Sequence, residues 1–559
     1  MAGFVRAVAL DLDGTVADGR TLSERAMAAI AAARADGLAL LLVTGRILTE
    51  MDADFPGLAE RFDAVVAENG GVLASADGVR LLARPVDQAL ADALDGRGLI
   101  ARRGQVLLAG SACDTEAVQS EVTRLGLDCQ LLRNRGELMV LPAGVSKGTG
   151  LIAGLDELGL SAHNTVAVGD AENDLALFEA AELGVAVANA VPSLQQHADL
   201  VLSACGGEGV ADLLTGPVVR GVVPIRPDRR RLPIGSFADG NPATIPGAQA
   251  NLLVCGQSGA GKSHLAGLLI EHWIDAGYSV LVLDMEGDHI GLGHLRNTAV
   301  LGDGDRLPTA RELVSVLRAR RGSVVLDLST TAVASRPAYL RDVAAAVEAE
   351  RAVSGVPHWI VVDEAHQSLG EAGVATGVFR PADLGYCLIT YVPEQLSETA
   401  RAAIDVTIRV TGGPVTGLIG AGSALMREAG GTEREVLLHA RRTPHRRHWH
   451  KYAVEPLPRQ RWFRFRSPTG IELACARDLR EFTAALQDLE PEAAEYHLCR
   501  GDFSRWVIGT LQDRELGAAL GALERDLLSR RARDVERSRD RILSAITDRY
   551  GDPEVGVGS

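Results

Sequence analysis

A chain of 559 residues exceeds what one hydrophobic core supports, and at about 100 to 200 residues per domain it predicts three or four domains. Its net charge of −16 argues against a uniformly basic nucleic-acid-binding protein, and its seven cysteines, without a C-x-x-C pair, argue against a disulfide framework or a zinc ribbon. Because the first residues carry no basic region followed by a long apolar run, and no window approaches about 18 uninterrupted apolar residues, we expect a cytoplasmic protein with neither an export signal nor a membrane span.

The first predicted strand, Val5 to Leu10, ends in Asp11-Leu12-Asp13-Gly14-Thr15. Because side chains alternate along a strand, Asp11 and Asp13 are expected to point to the same side, where they can share Mg²⁺. One carboxylate can attack a phosphorus atom while the other protonates the leaving oxygen. A turn with two aspartates is also common as a solvent-exposed feature, so this motif alone leaves both interpretations open.

Three more polar clusters follow in this part of the chain. The predicted strand Ala39 to Val43 ends in Thr44-Gly45-Arg46, and an apolar segment leads into Lys147. The predicted strand Thr165 to Val168 ends in Gly169-Asp170-Ala171-Glu172-Asn173-Asp174. Because the carboxyl ends of parallel strands gather at one edge of an α/β sheet, we expect the four clusters to form one ligand site.

These clusters, in this order, resemble the haloacid dehalogenase superfamily of phosphatases, in the Cof-like branch that carries a cap between the second and third motifs. Further matching segments are Glu68-Asn69-Gly70-Gly71, Gly184 to Ala190 and Gly206 to Leu214. The resemblance covers about residues 1–216. It implies a Rossmann-like phosphatase domain with an inserted α+β cap at about residues 78–140, which would select the leaving group.

The resemblance also implies a role for each matching residue. Asp11 would be the nucleophile that forms an aspartyl-phosphate, and Asp13 the general acid and base. The phosphoryl group would be held by Thr44 and Lys147. The Mg²⁺ ligands would be Asp11, the Asp13 carbonyl and Asp170, with Asp174 in support. Candidate substrate contacts are Gly45, Arg46 and Asn173, and a solvated surface charge is an equally good interpretation of Arg46.

Prolines at 217, 224, 227 and 233 interrupt the pattern, so we predict a linker at residues 217–247, with edge strands near Leu232 to Gly235 and Ala243 to Ile245. The apolar run Leu252 to Val254 then leads into a glycine-rich loop and a predicted helix, a setting that is typical of a phosphate-binding loop. The residues that would bind ATP are Gly256, Ser258, Gly259, Ala260, Gly261, Lys262 and Ser263, with the Ser263 hydroxyl on Mg²⁺.

Lysine is nearly absent from the sequence, which has 54 arginines and only Lys147, Lys262 and Lys451. Two of these three lysines lie in the motifs above, where a compact ammonium group is needed. Beyond the loop, predicted strands alternate with helices, as in a doubly wound sheet. The predicted strand His358 to Val362 runs into Asp363 and Glu364. Asp363 can orient Mg²⁺, and Glu364 can polarise the attacking water.

Four segments, in this order, resemble the HerA/FtsK class of ATPases: Leu232-Pro233-Ile234-Gly235, the glycine-rich loop, Leu283-Asp284-Met285-Glu286-Gly287-Asp288 and Val361 to His366. The resemblance implies a P-loop α/β ATPase domain at residues 248–440 and a homo-oligomer, commonly a hexameric ring that moves nucleic acid. The sequence departs from the class at Thr390-Tyr391-Val392-Pro393, where the class often carries glutamine in T-Q-x-P. This departure puts sensing of the γ-phosphate in doubt.

Residues 441–466 carry nine basic side chains and one acidic one, with interleaved aromatic residues. Such a segment suits single-stranded nucleic acid, but a β-structured segment with its aromatic residues in a core is slightly favoured, because Trp462 to Arg466 alternates as a strand does. His445, His448 and His450 have no companion cysteine or acidic cluster, so no metal site is expected there. The rest of residues 441–559 is predicted to be a mostly helical tail.

We therefore predict a Mg²⁺-dependent phosphatase acting on a small phosphorylated metabolite, of the sugar phosphate or phosphoglycolate class, joined to an ATP-binding and ATP-hydrolysing domain. In one alternative the second domain is a nucleic-acid translocase, and the phosphatase domain trims polynucleotide ends or nucleotides. In the other alternative the second domain is a nucleotide-gated scaffold that carries the phosphatase. The motifs leave these alternatives open, because a fold does not fix a substrate.

Overall fold

A computed structural model describes residues 4–99, 101–134, 136–257, 260–302, 306–320, 322–331, 335–369, 377–411, 422–443, 457, 459–511, 513–529 and 534–550. The chain divides into two compact units, a larger one of residues 1–285 with 289–445 and a smaller one of residues 286–288 with 446–559. Within the described ranges, no helix combines the length and the apolar character that crossing a membrane requires.

The first part of the larger unit contains an eight-stranded sheet and a four-stranded sheet. The strands are β1 (Ala7–Leu10), β2 (Ala17–Asp18), β3 (Thr21–Leu22), β4 (Ala39–Val43), β5 (Ala64–Ala67), β6 (Val72–Ser75), β7 (Gly78–Leu81), β8 (Arg102–Arg103), β9 (Leu108–Ser111), β10 (Cys129–Asn134), β11 (Glu137–Pro142), β12 (Thr165–Gly169), β13 (Leu183–Ala186) and β14 (Leu200–Val201). The helices are α1 (Glu24–Ala35), α2 (Leu48–Asp54), α3 (Gln88–Asp95), α4 (Thr115–Leu125), α5 (Lys147–Leu158), α6 (Leu175–Ala180), α7 (Pro192–His197) and α8 (Gly206–Thr215).

The eight-stranded sheet has the order β14-β13-β12-β1-β4-β5-β6-β7. Its strands from β14 to β5 run parallel, and β6 and β7 return antiparallel. The central strands are almost wholly buried apolar runs, because both faces of a parallel sheet have to be covered. Since β12, β1 and β4 are neighbours, the residues that follow them meet at one edge of the sheet.

The four-stranded sheet is antiparallel, in the order β10-β11-β9-β8, and forms the cap. Helices α3 and α4 contribute Leu90, Leu94 and Val118 to a small core that includes Leu138 and Val140 of β11. The cap predicted from the sequence starts at about residue 78, but β7 pairs with β6 in the larger sheet. The cap sheet itself lies within residues 102–142.

The second part of the larger unit is built on an eleven-stranded sheet. Its strands are β15 (Leu232–Phe237), β16 (Pro242–Ile245), β17 (Asn251–Cys255), β18 (Val280–Asp284), β19 (Thr298–Leu301), β20 (Ser323–Asp327), β21 (Trp359–Val362), β22 (Tyr386–Thr390), β23 (Val406–Val410), β24 (Ser423–Glu428) and β25 (Arg434–Leu438). The helices are α9 (Lys262–Asp275), α10 (Ala310–Arg320), α11 (Arg336–Ser354), α12 (Ala365–Leu369) and α13 (Glu398–Ala402).

The order of this sheet is β16-β15-β25-β24-β23-β17-β22-β21-β18-β20-β19. Neighbours from β23 to β19 run parallel, whereas those from β23 to β16 run antiparallel. One core contains Trp273 of α9 stacked on Trp359 at 4.1 Å between ring centres. A separate core packs Leu283 against Val343 and Val347 of α11. Helices on both faces therefore cover the parallel half, and β16 and β15 end the antiparallel half.

Buried polar contacts join the regions of the two large sheets. Nδ1 of His163 lies 2.7 Å from a carboxylate oxygen of Glu182, and the Tyr278 hydroxyl donates to the same oxygen at 3.0 Å. Nε2 of His358 lies 3.0 Å from Oδ1 of Asn164. Because a buried polar group is costly unless it is hydrogen-bonded, these contacts fix how the two regions meet.

The smaller unit carries a hairpin and a group of helices. Its elements are β26 (Phe463–Arg466), β27 (Glu472–Ala476), α14 (Leu479–Gln487), α15 (Pro491–Arg500), α16 (Asp502–Trp506), α17 (Arg514–Ser529) and α18 (Val535–Tyr550). Phe463 and Phe465 are buried while Arg464 and Arg466 are exposed, which is the alternation of a strand with an aromatic core. The rest of the predicted basic segment, at 444–456 and 458, lies outside the described residues, as do its three histidines.

Candidate functional site

The carboxyl edge of the eight-stranded sheet brings the predicted polar clusters together. Asp11 follows β1, Thr44 follows β4 and Asp170 follows β12, and these three strands are adjacent. Lys147 is the first residue of α5, which begins with a capping box between Ser146 and Thr149. This capping box fixes where the helix starts and so fixes the position of Lys147.

Lys147 bonds to two of the predicted carboxylates. Its ammonium donates to Oδ1 of Asp11 and to Oδ1 of Asp174, each at 2.6 Å. Lys147 is 1% exposed and Asp11 is 3% exposed, so these bonds are shielded from water. A Cβ on Gly148 would lie 2.3 Å from the carbonyl oxygen of Ala176, so glycine at this position lets α5 approach α6 closely enough for the contact.

Burial and charge act against each other at this cluster. Burial raises the pKa of Asp11 to about 7, although the charge of Lys147 lowers it in part. Burial disfavours the charged form of Lys147, but the carboxylates of Asp11 and Asp174 outweigh it and raise the pKa of Lys147 above its usual value. Lys147 is therefore a permanent cation beside Asp11.

Asp170 completes a group of three buried carboxylates. Oxygens of Asp11, Asp170 and Asp174 all lie within 4.8 Å of one another. The second oxygen of Asp174 accepts backbone N–H bonds from Asp170 and Ala171 at 3.0 Å each, which orients it. Three carboxylates around one ammonium leave an excess of buried negative charge, and such an oxygen set suits a hard divalent cation.

Asp13 and Arg46 form a bidentate ion pair. Nε and Nη2 of Arg46 donate to the two Asp13 carboxylate oxygens at 2.8 and 2.7 Å, and Nη1 donates to Asp54 at 2.7 Å. The hydrogen bonds that Arg46 donates to Asp13 are the largest cause that raises the pKa of Arg46. The interpretation of Arg46 as a solvated surface charge is therefore wrong, because its guanidinium is held between two aspartates.

Thr44, Gly45 and Asn173 line the same edge beneath the cap. Thr44 is fully buried, and its hydroxyl accepts the backbone N–H of Arg46 at 3.1 Å. A Cβ on Gly45 would lie 3.4 Å from Sδ of Met139 on the cap strand β11 and 3.7 Å from Nδ2 of Asn173. Nδ2 of Asn173 also donates to Oδ1 of Asn69 at 3.3 Å. The structure thus brings all the predicted phosphatase residues to one edge of the sheet.

Glu68 is a site residue to which the sequence assigned no role. Its carboxylate accepts the backbone N–H groups of residues 105, 106 and 107 at 2.8, 2.7 and 3.1 Å. It is fully buried, and both Glu68 and Asn69 adopt positive φ, which non-glycine residues rarely do. Glu68 therefore ties the main sheet to the segment that enters the cap. The sequence did carry a signal that could have identified Glu68, because it is an acidic residue between the apolar run 64–67 and the glycines at 70 and 71.

Comparisons with known proteins agree with this arrangement. The family model described as haloacid dehalogenase-like hydrolase matches residues 8–94 and 118–214. The phosphoglycolate phosphatase of Methanothermobacter thermautotrophicus is 37% identical over 215 residues, which cover 37% of this chain and 96% of that protein. The chain belongs to the haloacid dehalogenase-like hydrolases. This membership makes it an enzyme, a phosphoric monoester hydrolase, through its first part.

Other similar proteins match the same part of the hydrolase. The phosphoglycolate phosphatase of Archaeoglobus fulgidus is 30% identical over 227 residues, which cover 37% of this chain and 95% of that protein. A solved haloacid dehalogenase-like hydrolase from Bacteroides thetaiotaomicron covers 38% of this chain and 98% of its own, at 21% identity and a TM-score of 0.33.

The hydrolase has a second candidate site at the glycine-rich loop, of which Ser258 and Gly259 lie outside the described residues. Gly256 has φ of +149°, and a Cβ there would lie 2.6 Å from the carbonyl oxygen of Val410, so only glycine fits. Lys262 begins α9, with Ser263 next to it in the first turn. The Lys262 ammonium donates to the carbonyl of Gln257 at 3.1 Å and lies 5.7 Å from the centre of the Tyr391 ring.

Asp363 and Glu364 follow β21 of the hydrolase, and both are buried. Glu364 has φ of +45°, a strained conformation for a non-glycine residue. One of its carboxylate oxygens lies 3.3 Å from Nδ1 of His366, which is 3.1 Å from the Thr390 hydroxyl. The Tyr391 ring meets the His366 ring edge-on at 4.7 Å. A contact network that sequence reasoning missed therefore links Glu364 to the end of β22 and, through Tyr391, to Lys262.

A second buried cluster of metal-ligand type lies at the same sheet edge. Ligand atoms of Asp284, His289 and Asp363 lie within 4.8 Å of one another. The backbone N–H of His289 donates to Asp284 at 2.8 Å, and its Nε2 is 3.7 Å from Oδ2 of Asp363. The sequence had marked Asp284 only as part of a family-like segment. A family model described as the central domain of helicase HerA matches residues 248–339 of the hydrolase.

Proposed function

We propose that the hydrolase releases phosphate from a small phosphorylated metabolite, of the phosphoglycolate or sugar phosphate class, through a phosphoryl group carried transiently on Asp11. The observation that carries this proposal is the buried contact of Lys147 with Asp11 and Asp174 beside Asp170. The relatives that match this part over nearly their whole length are phosphoglycolate phosphatases, which supports the substrate class. The proposed phosphatase domain is residues 1–216.

The first step breaks the ester bond. A carboxylate oxygen of Asp11 forms a bond to phosphorus, the bond from phosphorus to the leaving oxygen breaks, and Asp13 gives that oxygen a proton. The Lys147 ammonium, already beside Asp11, offsets the negative charge that the phosphoryl group brings, together with the Thr44 hydroxyl. Because both carboxylate oxygens of Asp13 accept bonds from Arg46, Asp13 has to part from Arg46 before one of these oxygens is free to pass a proton to the leaving oxygen.

The second step regenerates the enzyme. Asp13, now ionised, takes a proton from a water molecule, the water oxygen bonds to phosphorus, and the bond from phosphorus to Asp11 breaks. Inorganic phosphate leaves, and Asp11 returns as a carboxylate. Gly45 and Asn173, beneath the cap strand with Met139, are positioned to contact the rest of the substrate.

Mg²⁺ fits the buried oxygen set at this edge, because three carboxylates meet there beside the single positive charge of Lys147. Asp11, the Asp13 carbonyl and Asp170 would hold it, with Asp174 in support. When bound, the ion would supply positive charge that stabilises the transferring phosphoryl group.

We propose that residues 248–440 bind and hydrolyse ATP. The HerA-family match and the glycine-rich loop support this proposal. The triphosphate would be held by Gly256, Ser258, Gly259, Ala260, Gly261, Lys262 and Ser263. Asp363 and Ser263 would hold Mg²⁺, whose charge would stabilise the phosphates, while Glu364 polarises the attacking water. The link from Glu364 through His366 and Tyr391 to Lys262 would connect the water site to the phosphate site.

The HerA match also favours a second candidate function, a nucleic-acid translocase with a polynucleotide or nucleotide phosphatase domain. That candidate requires a homo-oligomer, commonly a hexamer, and a nucleic-acid contact such as residues 441–466. A nucleotide-gated scaffold is the third candidate, and it requires ATP binding without turnover.

A substrate panel separates these functions. Phosphate release would be measured from phosphoglycolate, sugar phosphates, nucleotides and 5′-phosphorylated oligonucleotides, with Mg²⁺, with and without ATP. Wild type, Asp11→Asn and the exposed control Asp77→Asn would be compared. We expect turnover of a small metabolite that is lost only in Asp11→Asn. Turnover confined to oligonucleotide ends would contradict the metabolite proposal, and unchanged turnover in Asp11→Asn would contradict the nucleophile.

A further inference from the structure

A cavity of about 610 Å³ lies where the regions of the two large sheets meet. Phe4 and Arg6, which precede β1, line one side, and residues of α11, β18, β21 and β22 line the other. His358 and Leu384, which precede β21 and β22, also line it, so the cavity reaches the amino ends of these strands. Both candidate active sites lie at carboxyl ends, and none of their residues lines this cavity.

Two arginines of the cavity lining, Arg6 and Arg351, are in contact and bond to backbone carbonyls. Nε and Nη2 of Arg6 donate to the backbone carbonyl of Arg351 at 3.3 and 2.8 Å. Nη2 of Arg351 donates to the carbonyls of Leu384 and His358 at 2.8 and 3.2 Å, and its guanidinium lies over the Tyr386 ring at 5.5 Å. Within the described part of the chain, neither guanidinium has an ion-pair partner.

Two other arginines near this junction have acidic partners. Arg226 pairs with Asp405 at 3.0 Å, and Arg229 pairs with Asp199 at 2.8 Å. Burial, and then the like charge of Arg351, lower the pKa of Arg6. Holding two half-buried guanidinium groups together without an acid opposes folding, and a bound anion would relieve that cost.

The rest of the lining indicates what kind of anion fits. The cavity is lined by four arginines and two carboxylates, a local net charge of +2 in a protein whose net charge is −16. This local charge matches a phosphate monoester, which carries about −1.5 to −2 at neutral pH. Leu283, Val347 and Tyr386 form an apolar wall beside the arginines. The volume falls within the range of about 300 to 1,000 Å³ that is usual for small-molecule sites.

We propose that this cavity binds a small organic phosphate of nucleotide size, with its phosphate between Arg6 and Arg351 and its apolar part along Leu283, Val347 and Tyr386. Planar guanidinium groups match the geometry of phosphate oxygens. Because the walls come from the phosphatase region and the P-loop region together, the bound ligand stabilises the arrangement in which the two regions are docked. The site depends on neither candidate reaction.

Calorimetric titration of the full chain with adenosine monophosphate tests the proposal. All variants carry Asp11→Asn, so that the probe is not consumed. Arg6→Met should weaken binding by at least about tenfold, which is the usual effect of losing a charge-assisted hydrogen bond. Val347→Trp should abolish binding by filling the cavity. Arg80→Met, at an exposed arginine paired with Glu157, should leave it unchanged.

Binding that is equal in Arg6→Met, Val347→Trp and the parent would overturn the proposal, because the probe would then occupy another site. Absence of binding to the parent at millimolar concentrations would overturn it too. Circular dichroism and the unfolding midpoint establish that each variant is folded. If Val347→Trp does not fold, Val347→Met narrows the same wall with less bulk, and a weaker binding constant is again expected.

Discussion

At the scale of single residues, Lys147 connects the carboxylates of the phosphatase site, because its ammonium donates to both Asp11 and Asp174. We expect Lys147→Met to lower phosphate release by at least about 10²-fold, since removing a group that stabilises transition-state charge has an effect of this size. Steady-state phosphate release with Mg²⁺ measures it, with Arg80→Met as the control. Retention of wild-type turnover in Lys147→Met would show that the lysine does not act on the phosphoryl group.

At the second candidate site, Glu364 is the residue whose substitution tests the proposed ATP hydrolysis. We expect Glu364→Gln to stop ATP hydrolysis while ATP still binds, because the amide cannot polarise water but the loop is unchanged. His366→Ala should slow hydrolysis by roughly 10-fold or more, since Glu364 loses the contact that positions it. Phosphate release from ATP and equilibrium binding of ATP measure the two effects. Hydrolysis that persists in Glu364→Gln would place the base elsewhere.

Asp13 and Arg46 show what single-residue reasoning from a sequence leaves out. The two aspartates of the first motif and the lysine were predictable because each follows or starts an element with a recognisable local pattern. The pairing of Arg46 with Asp13 joins two separate segments of the chain, and 54 arginines offer no pattern that marks one of them. The contact between His366 and Thr390 also joins separate segments of the chain, so the sequence did not reveal it.

At the scale of elements, Glu68 links the eight-stranded sheet to the cap. Its carboxylate is the acceptor for three successive N–H groups ahead of β9. In Glu68→Gln one acceptor oxygen becomes a donor, which leaves a buried N–H facing an N–H at a cost of about 1 to 3 kcal/mol. We therefore expect amide exchange of residues 105–107 to accelerate by about 10-fold or more.

Hydrogen-exchange mass spectrometry of the peptide across residues 100–110 measures this effect. Glu60→Gln, at an exposed glutamate, is the matched control and should leave exchange unchanged. The affinity for substrate should fall with the loosened cap. Equal exchange in Glu68→Gln and wild type would mean that the cap is positioned by other contacts.

The parallel halves of both sheets were predictable from buried apolar runs that alternate with helical patterns. The order of the strands was not, because it depends on contacts between distant segments, such as β12 beside β1 and β23 beside β17. The start of the cap was also misplaced. Residues 78–81 are all exposed, and only pairing with β6 puts them in the main sheet.

At the scale of the molecule, the junction of the two large sheets predicts a pH dependence through His358. Its Nδ1 accepts the backbone N–H of Ser279 at 2.8 Å, so its Nε2 carries the proton that meets Asn164. Burial, with the nearby charges of His163 and Arg351, keeps the pKa of His358 well below its usual value of 6.5. A second proton on Nδ1 would face the Ser279 N–H and break this contact.

The sign of the effect follows from proton binding. The unfolded chain takes up a proton at His358 near pH 6.5, whereas the folded chain does so only at much lower pH. The unfolded state then binds more protons, so stability should fall as the pH drops below about 6.5. Unfolding midpoints across this pH range, for wild type and His358→Gln, measure it. An equal slope in both proteins would assign the dependence to other groups.

No sequence pattern predicted this junction, because its polar residues belong to no local motif and come into contact only in the folded chain. Tyr278 and Glu182 are 96 positions apart, and Arg6 and Arg351 are 345 apart. The cavity between the regions was unpredictable for the same reason. The sequence identified two chemical motifs, and the structure adds the contacts that place both in one compact unit.

The central claim is that the phosphoryl group passes through Asp11, and the most direct measurement is to trap it there. The chain would be quenched during turnover of phosphoglycolate and reduced with borohydride, which converts an aspartyl-phosphate to homoserine. Mass spectrometry of the peptide that contains Asp11 and Asp13 should then find homoserine at position 11, only when substrate is present. Homoserine at another position, or none while phosphate is still released, would contradict the account.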